Sequence, residues 1–191
     1  MFADGGSKIY GILEKEKGYD PVIIRSVLKS SVKKESLRGH ISDQDFWRWA
    51  REQLPQNYDV DYVKKRYYES YMPDKDIFDL VKKLKQNKYE LFIFSGNMKN
   101  RVEYLENTYG FSQYFDKTIY SYEIGATKPE PDFFEALIKA LNCQPDEAVL
   151  VDSVQINVDV LEGEYGMKGI LYKEGQIEDL KNQLSRLGVN I

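Results

Sequence analysis

The chain has 191 residues, 42% of them hydrophobic and 30% charged, with a formal net charge of −4. That size and composition suit one soluble α/β domain with a sizeable helical insertion, and exclude a disordered or fibrous chain. The negative balance, with lysines spread along helical segments rather than massed, argues against bulk attraction to nucleic acid or an anionic membrane.

The lone cysteine, Cys143, precludes an intramolecular disulfide. No apolar run approaches the ~20 residues of a membrane span. Residues 1–6 lack the basic-then-apolar pattern of a signal peptide. A cytoplasmic protein is therefore expected.

In chain order, residues 8–72 carry helical periodicity. Pro21 opens a helix with Val22, Ile23, Val27 and Leu28 toward one side. Ser42 reads as an N-cap with Asp45 in the first turn, ahead of Phe46, Trp47, Trp49 and Leu54. Val60, Val63, Tyr67 and Tyr71 recur at near-helical spacing, and Gly39 and Pro55 punctuate the helices. Many of the 15 tyrosines fall between Tyr58 and Tyr122, which suggests packing at a domain interface.

The rhythm then changes. A helix is predicted over residues 76–84, a buried strand over 89–94, a helix over 99–109 and a short strand over 118–120. A helix over 131–141 follows, with proline in its first turn, then a strand over 148–151 and a helix over 156–164. A strand over 169–172 and a helix over 177–187 complete the pattern. Strands alternating with helices predict a mostly parallel sheet covered on both faces, with chemistry in the crevice at the strands' carboxyl ends.

That reasoning singles out the loops after Phe94, Tyr120 and Val151. In Ser95-Gly96-Asn97 a hydroxyl at a strand end precedes a helix start. The hydroxyl donates, glycine lets the backbone approach closely, and a helix start offers N–H groups, so the trio suits an anion. The same residue types also serve ordinary turn chemistry. In Gly125-Ala126-Thr127-Lys128-Pro129-Glu130-Pro131, Lys128 is pinned between a glycine turn and two prolines. It could neutralise a phosphate oxygen and a nearby carboxylate, although a lysine beside proline is also a common surface feature. In the third loop, Asp152 and Ser153 follow a buried strand and precede Asn157. A strand-end carboxylate must be paired or metal-bound to offset its desolvation, and Mg²⁺ accepts one or two carboxylates plus water; a plain helix cap is the other reading.

Hydroxyl, lysine and aspartate thus come in order, each at a strand end of one parallel sheet. With Leu91-Phe92-Ile93-Phe94-Ser95-Gly96-Asn97, with Gly125 through Phe134, and with Gly166-Met167-Lys168-Gly169-Ile170, the chain resembles the haloacid dehalogenase (HAD)-like hydrolase superfamily. The similar branch has a helical cap inserted after the first motif; Leu37-Arg38-Gly39-His40-Ile41-Ser42 and Phe46-Trp47 resemble its cap segment. The resemblance covers nearly the whole chain. It implies a HAD-like three-layer Rossmannoid core at residues 73–191 and an α-helical cap at 8–72. Ser95, Lys128 and Asp152 are similar to the second, third and fourth motifs. Ser95 and Lys128 are thereby implied to be catalytic, Ser95, Gly96, Asn97 and Lys128 to bind substrate, and Asp152 or Ser153 to hold Mg²⁺.

The mechanism so implied runs through an aspartyl-phosphate on a first-strand aspartate, with a second aspartate two positions later as general acid and base. Mg²⁺ offsets charge in the transition state and the cap excludes water. The substrate expected is a small phosphorylated metabolite. Phosphatase chemistry is favoured over dehalogenation of 2-haloacids because Asp152 suits a metal. No nucleic-acid or membrane partner is expected, and the protein would be a monomer or homodimer.

The pattern departs from the family in two places. The first motif should be an apolar strand ending in Asp-x-Gly-Gly or Asp-x-Asp-Gly. Phe2-Ala3-Asp4-Gly5-Gly6 lacks the preceding strand, and Ser7-Lys8-Ile9 follows instead of Val-Leu. Asp4 is therefore a poor nucleophile candidate, and residues 1–7 read as the loop after a lost strand. The chain is accordingly expected to be truncated and inactive. Strands ending at Phe94 and Val151 should then lack their shared partner, leaving a gap, a collapse, a partner chain in the gap or poor solubility. The second departure is Ser153, which takes the metal-ligand slot if the register is set on Asn157; a register set on Asp-Ser keeps Asp152 as ligand, which is favoured. These departures also support a catalytically dead binding or regulatory relative. His40 is expected to face solvent in a turn, and Cys143 to be structural at a helix end.

Overall fold

The computed structural model describes Phe2 and residues 5–191. Met1, Ala3 and Asp4, and with them the weak nucleophile candidate, lie outside the described residues.

Five helices come first: α1 (Gly5–Lys17), α2 (Pro21–Leu28), α3 (Ser31–Leu37), α4 (Asp43–Gln53) and α5 (Val60–Glu69). Four of them start on capping side chains. Asp20 accepts from the Val22 N–H, Ser30 from Lys33, Ser42 from Asp45 and Asp59 from Tyr62, each satisfying an N–H that the helix cannot pair internally. The caps of α2 and α5 are tied reciprocally. Tyr58 Oη accepts from the Asp20 N–H and Tyr19 Oη from the Asp59 N–H, both at 2.8 Å, while the two rings stack 4.0 Å apart. Ile9, Leu13, Ile24, Phe46, Ala50, Val63 and Tyr67 bury against one another in a core to which α3 adds the partly buried Val32 and Leu37. Trp47 stays inside because its indole N–H reaches Tyr68 Oη at 3.2 Å. The chain differs from expectation at its start: Gly5, Gly6 and Ser7 form the first turn of α1 rather than a loop. The contact of Gly5 with the Ser70 backbone fixes that turn where local propensity would not.

The alternating half follows as α6 (Lys75–Gln86), β1 (Phe92–Ser95), α7 (Lys99–Tyr109), β2 (Lys117–Tyr120), α8 (Ser121–Ile124), α9 (Pro131–Ala140), β3 (Val149–Asp152), α10 (Gln155–Tyr165), β4 (Lys168–Leu171) and α11 (Ile177–Arg186). Both strand ladders are parallel, with Ser95 opposite Tyr120 and Asp152 opposite Leu171. Side chains alternate between faces as a pleat requires. Phe92 and Phe94 of β1 meet Phe133 and Phe134 of α9, whereas Ile93 meets Val102 and Leu105 of α7. In the other pair, Leu150 joins the α9–α10 core and Val149 the core of Ile77, Leu80, Leu180 and Leu184 from α6 and α11. Helices therefore cover both faces of a parallel layer. Gly169 permits this covering on β4, because a Cβ there would lie 2.5 Å from Val158 Cγ1 of α10.

Among the described residues the layer is divided. β1 pairs with β2, β3 pairs with β4, and no ladder joins the two pairs. The strand expected to be buried over 89–94 is correspondingly shorter and only half-buried, and Val151 is 41% exposed. Each strand facing the division has backbone paired on one side alone. Among the described residues no helix is long and apolar enough to cross a membrane.

Candidate active site

Parallel pairing puts the carboxyl ends of β1 and β2 on one side of their pair and those of β3 and β4 on one side of theirs. Lys128 joins them. From the loop between α8 and α9, its ammonium donates to Asp152 Oδ2 at 2.5 Å and to the Phe94 carbonyl at 3.2 Å. The same Nζ lies 4.9 Å from the centre of the Phe94 ring. One side chain thus crosses the division of the layer, touching the residue before Ser95 on β1 and the last residue of β3.

The Asp152 carboxylate is buried, and both its oxygens accept hydrogen bonds. Besides Lys128, its Oδ1 accepts from the Val154 N–H at 2.9 Å and from Asn157 Nδ2 at 3.1 Å. Asp152 is charge-paired through Oδ2, but the helix-cap reading fails: Oδ1 closes a turn ahead of α10, whose N-cap is Val154 with no side-chain cap. Ser153 is exposed. Among the described residues no group of three or more His, Cys, Asp or Glu side chains gathers as a metal cluster.

Ser95 ends β1, half-buried, and Gly96 beside it is exposed. Asn97 turns away from the crevice. Its Oδ1 accepts from the Met98 N–H at 2.9 Å and from Arg101 Nε at 2.5 Å, while its own N–H donates to Ser121 Oγ at 3.1 Å. The start of α7 is also less open to an anion than expected, because the Asn100 N–H donates to Asp43 Oδ2 at 2.7 Å. Asp43 is itself buried, and its other oxygen accepts from Ser36 Oγ at 2.7 Å. Ser121, wholly buried, donates onward to the Leu37 carbonyl at 2.6 Å, linking α3 to the Ser95 loop.

Sequence reasoning assigned no role to Glu130 or Arg38. Glu130 folds back on its own loop, accepting from the Thr127 N–H at 3.0 Å and Thr127 Oγ1 at 3.2 Å, and so holds the turn that carries Lys128. Arg38, at the end of α3, closes on the same carboxylate through Nε and Nη2. The Arg38 hydrogen bond holds the Glu130 carboxyl below the usual range, and Glu130 in turn raises Arg38. Thr127-x-x-Glu130 matches the Ser/Thr-x-x-Glu spacing of a capping box, a signal that could have revealed Glu130; no local pattern reveals Arg38. Gly39 follows with φ +73°, and a Cβ there would run into the Tyr122 carbonyl. His40 is exposed and paired with Glu35 at 2.8 Å. Cys143, expected to be structural, is exposed and free, because the α9–β3 connection that carries it lies at the surface.

Comparison with known proteins bears on this arrangement. The haloacid dehalogenase-like hydrolase family matches residues 12–160. An uncharacterised protein of Dictyostelium discoideum is 42% identical over 134 residues, which is 68% of this chain and 57% of that protein. A glyceraldehyde 3-phosphate phosphatase of Methanothermobacter thermautotrophicus is 26% identical over 109 residues, 56% of this chain and 48% of that protein. The chain spans about half the length of the curated relatives it matches. A HAD family enzyme of Bacteroides thetaiotaomicron, solved in complex with magnesium and inorganic phosphate, shares the fold with a TM-score of 0.68 at 23% identity, over 91% of this chain and 85% of that one. With that extent of match, strands in parallel and loops converging at their ends, the chain belongs to the haloacid dehalogenase-like hydrolases.

Proposed function

We propose that this crevice binds the phosphoryl group of a small phosphorylated metabolite and is the phosphoryl site of a Mg²⁺-dependent phosphomonoesterase, whose nucleophilic aspartate is not among the described residues that line it. The observation that carries the reading is Lys128, poised between the Asp152 carboxylate and the end of β1 next to Ser95. Its compact charge would stabilise phosphoryl oxygens, and the Ser95 hydroxyl would donate to one of them. Glu130 and Arg38 position Lys128 by fixing its loop. On this reading α1–α5 form the cap that excludes water and selects substrate. Relatives named as a glyceraldehyde 3-phosphate phosphatase and a flavin mononucleotide hydrolase support the reaction class. Their different substrates leave the leaving group to the cap.

The residues suit Mg²⁺, which needs one or two carboxylates with water and phosphate oxygens completing its shell. Asp152 is the carboxylate that would hold it. When bound, the ion supplies neutralisation of charge on the phosphoryl oxygens. A magnesium and phosphate complex of the Bacteroides relative supports this assignment.

A second reading, a binding or regulatory module without turnover, is favoured by the ion pair that Lys128 makes with Asp152. One experiment separates the two: p-nitrophenyl phosphate turnover with and without Mg²⁺, alongside calorimetric titration with inorganic phosphate. Mg²⁺-dependent turnover lost in Lys128→Met and Ser95→Ala supports the enzyme. Phosphate binding that needs Lys128, without turnover, supports the module. Phosphate binding indifferent to Lys128 removes the crevice from both.

A further inference from the structure

The margin of β2 carries a groove that the crevice does not use. It holds about 320 Å³ between α7 and β2, and no residue of β1 lines it. Among the described residues β2 pairs with β1 alone, so its other edge keeps backbone N–H and C=O groups outside any ladder. Val102 and Phe111, both buried, give the groove an apolar floor, and Thr118 of β2 lies exposed beside them.

The rim is acidic. Glu103 and Glu106 line the groove from one side of α7. The Ser112 N–H and Oγ donate to Glu106 at 2.9 and 2.8 Å, which fixes that carboxylate, whereas Glu103 is exposed. Tyr120 lines the groove although only 7% of it is exposed, and its hydroxyl has no hydrogen-bond partner among the described residues. The Tyr120 ring is held by Tyr122, stacked 5.2 Å away. Burial pushes the Tyr120 hydroxyl up to about 12, and the carboxylates of Glu106 and Glu123 push the same way. No Lys, Arg or His is among the described residues that line the groove. Two carboxylates and a phenol thus offer acceptors over an apolar floor with no cation to answer them.

We propose that this groove is a docking site for a partner protein, which adds an extended segment to the free edge of β2 and lays a basic side chain in the groove. The charged head donates to Glu103, Glu106 and the Tyr120 hydroxyl, while its apolar stem covers Val102 and Phe111. Arginine fits best, because its planar fork presents several donors to these three acceptor groups. Pairing with the edge strand supplies main-chain hydrogen bonds, and the acidic rim selects the segment by its charge.

The test is fluorescence anisotropy of the full chain with a labelled peptide, Thr-Val-Thr-Arg-Thr-Val-Thr, and with the same peptide carrying glutamine in place of arginine. The arginine peptide is expected to bind about tenfold more tightly, the worth of a charge-assisted contact. Glu103→Gln, at an exposed position that folding tolerates, should remove most of that preference. Tyr120→Phe keeps the stacked ring and should weaken the arginine peptide several-fold while leaving the glutamine peptide unchanged, a split that a merely structural role would not produce. Methylating alternate backbone nitrogens of the arginine peptide should abolish binding in one of the two registers. Binding kept in both registers, or free arginine amide binding as tightly as the peptide, overturns strand addition and the docking site with it. Dimerisation in sedimentation velocity that Glu103→Arg abolishes places a second copy in the groove and overturns a foreign partner. Equal affinities for the two peptides, no binding at millimolar peptide, or indifference to Glu103→Gln overturns the proposal outright.

Discussion

Lys128→Met isolates the charge that spans the divided layer, because methionine keeps most of the stem packed near Phe94. The wild-type pair is well shielded, with side-chain exposures of 18% for Lys128 and 7% for Asp152. Removing one member of a buried ion pair costs about 3–5 kcal/mol, mostly from the charge left behind. Here the stranded carboxylate keeps the Val154 N–H and Asn157 as donors, so a smaller loss of about 2–3 kcal/mol is expected. For a chain of this length that corresponds to a fall in Tm of roughly 4–12 °C. The assay is urea unfolding of the wild type, Lys128→Met, Asp152→Asn and the double variant. Because the two residues touch, the double variant should lose less than the sum of the single losses, by about 2 kcal/mol. Additive losses would refute the claim that this contact holds the strand ends together.

Stability should also depend on pH through Glu130. Its folded-state pKa is depressed by Arg38, so its contribution is present above the unfolded value of about 4.3 and is lost as pH falls through the lower folded value. Arg38→Met should flatten the acid limb of a stability–pH profile below about pH 4.5; an unchanged limb would contradict the pairing. Gly39→Ala should lower stability by about 1–3 kcal/mol in urea unfolding, since the φ of +73° and the Tyr122 carbonyl both oppose a methyl group; a neutral effect would show that the turn is misread. Phe46→Ala should lose about 3–5 kcal/mol because the ring is fully buried. Val22→Ala, at a side chain 74% exposed, should stay within about 0.5 kcal/mol of wild type; reversal of that order would overturn the assignment of the helical core.

Periodicity and caps made the helices legible, as with the predicted span 99–109 and the Ser42 cap, because local hydrogen bonding and amphipathicity decide them. Two of the strands ended one residue later than their apolar runs suggested. Ser95 and Asp152 are polar, which marks a loop in a sequence, yet each continues a parallel ladder opposite Tyr120 and Leu171. The first turn of α1 was illegible because paired glycines signal a loop, and only packing on Ser70 says otherwise. The convergence of Lys128 with Asp152 follows from strand-end geometry that any such alternation imposes. Its supports do not: Arg38 reaches Glu130 across 92 residues, and Ser121 reaches Leu37 across 84.

The crossed tyrosines Tyr19 and Tyr58 have a consequence for how the helical layer comes apart. Each hydroxyl guards the amide at the other helix's threshold, and the stacked rings hold both in place. Fraying of α2 therefore strips the guard from α5, and fraying of α5 does the same to α2. The two helix starts should open as a single foldon, with the amide protons of Asp20 and Asp59 exchanging with deuterium at one shared protection factor.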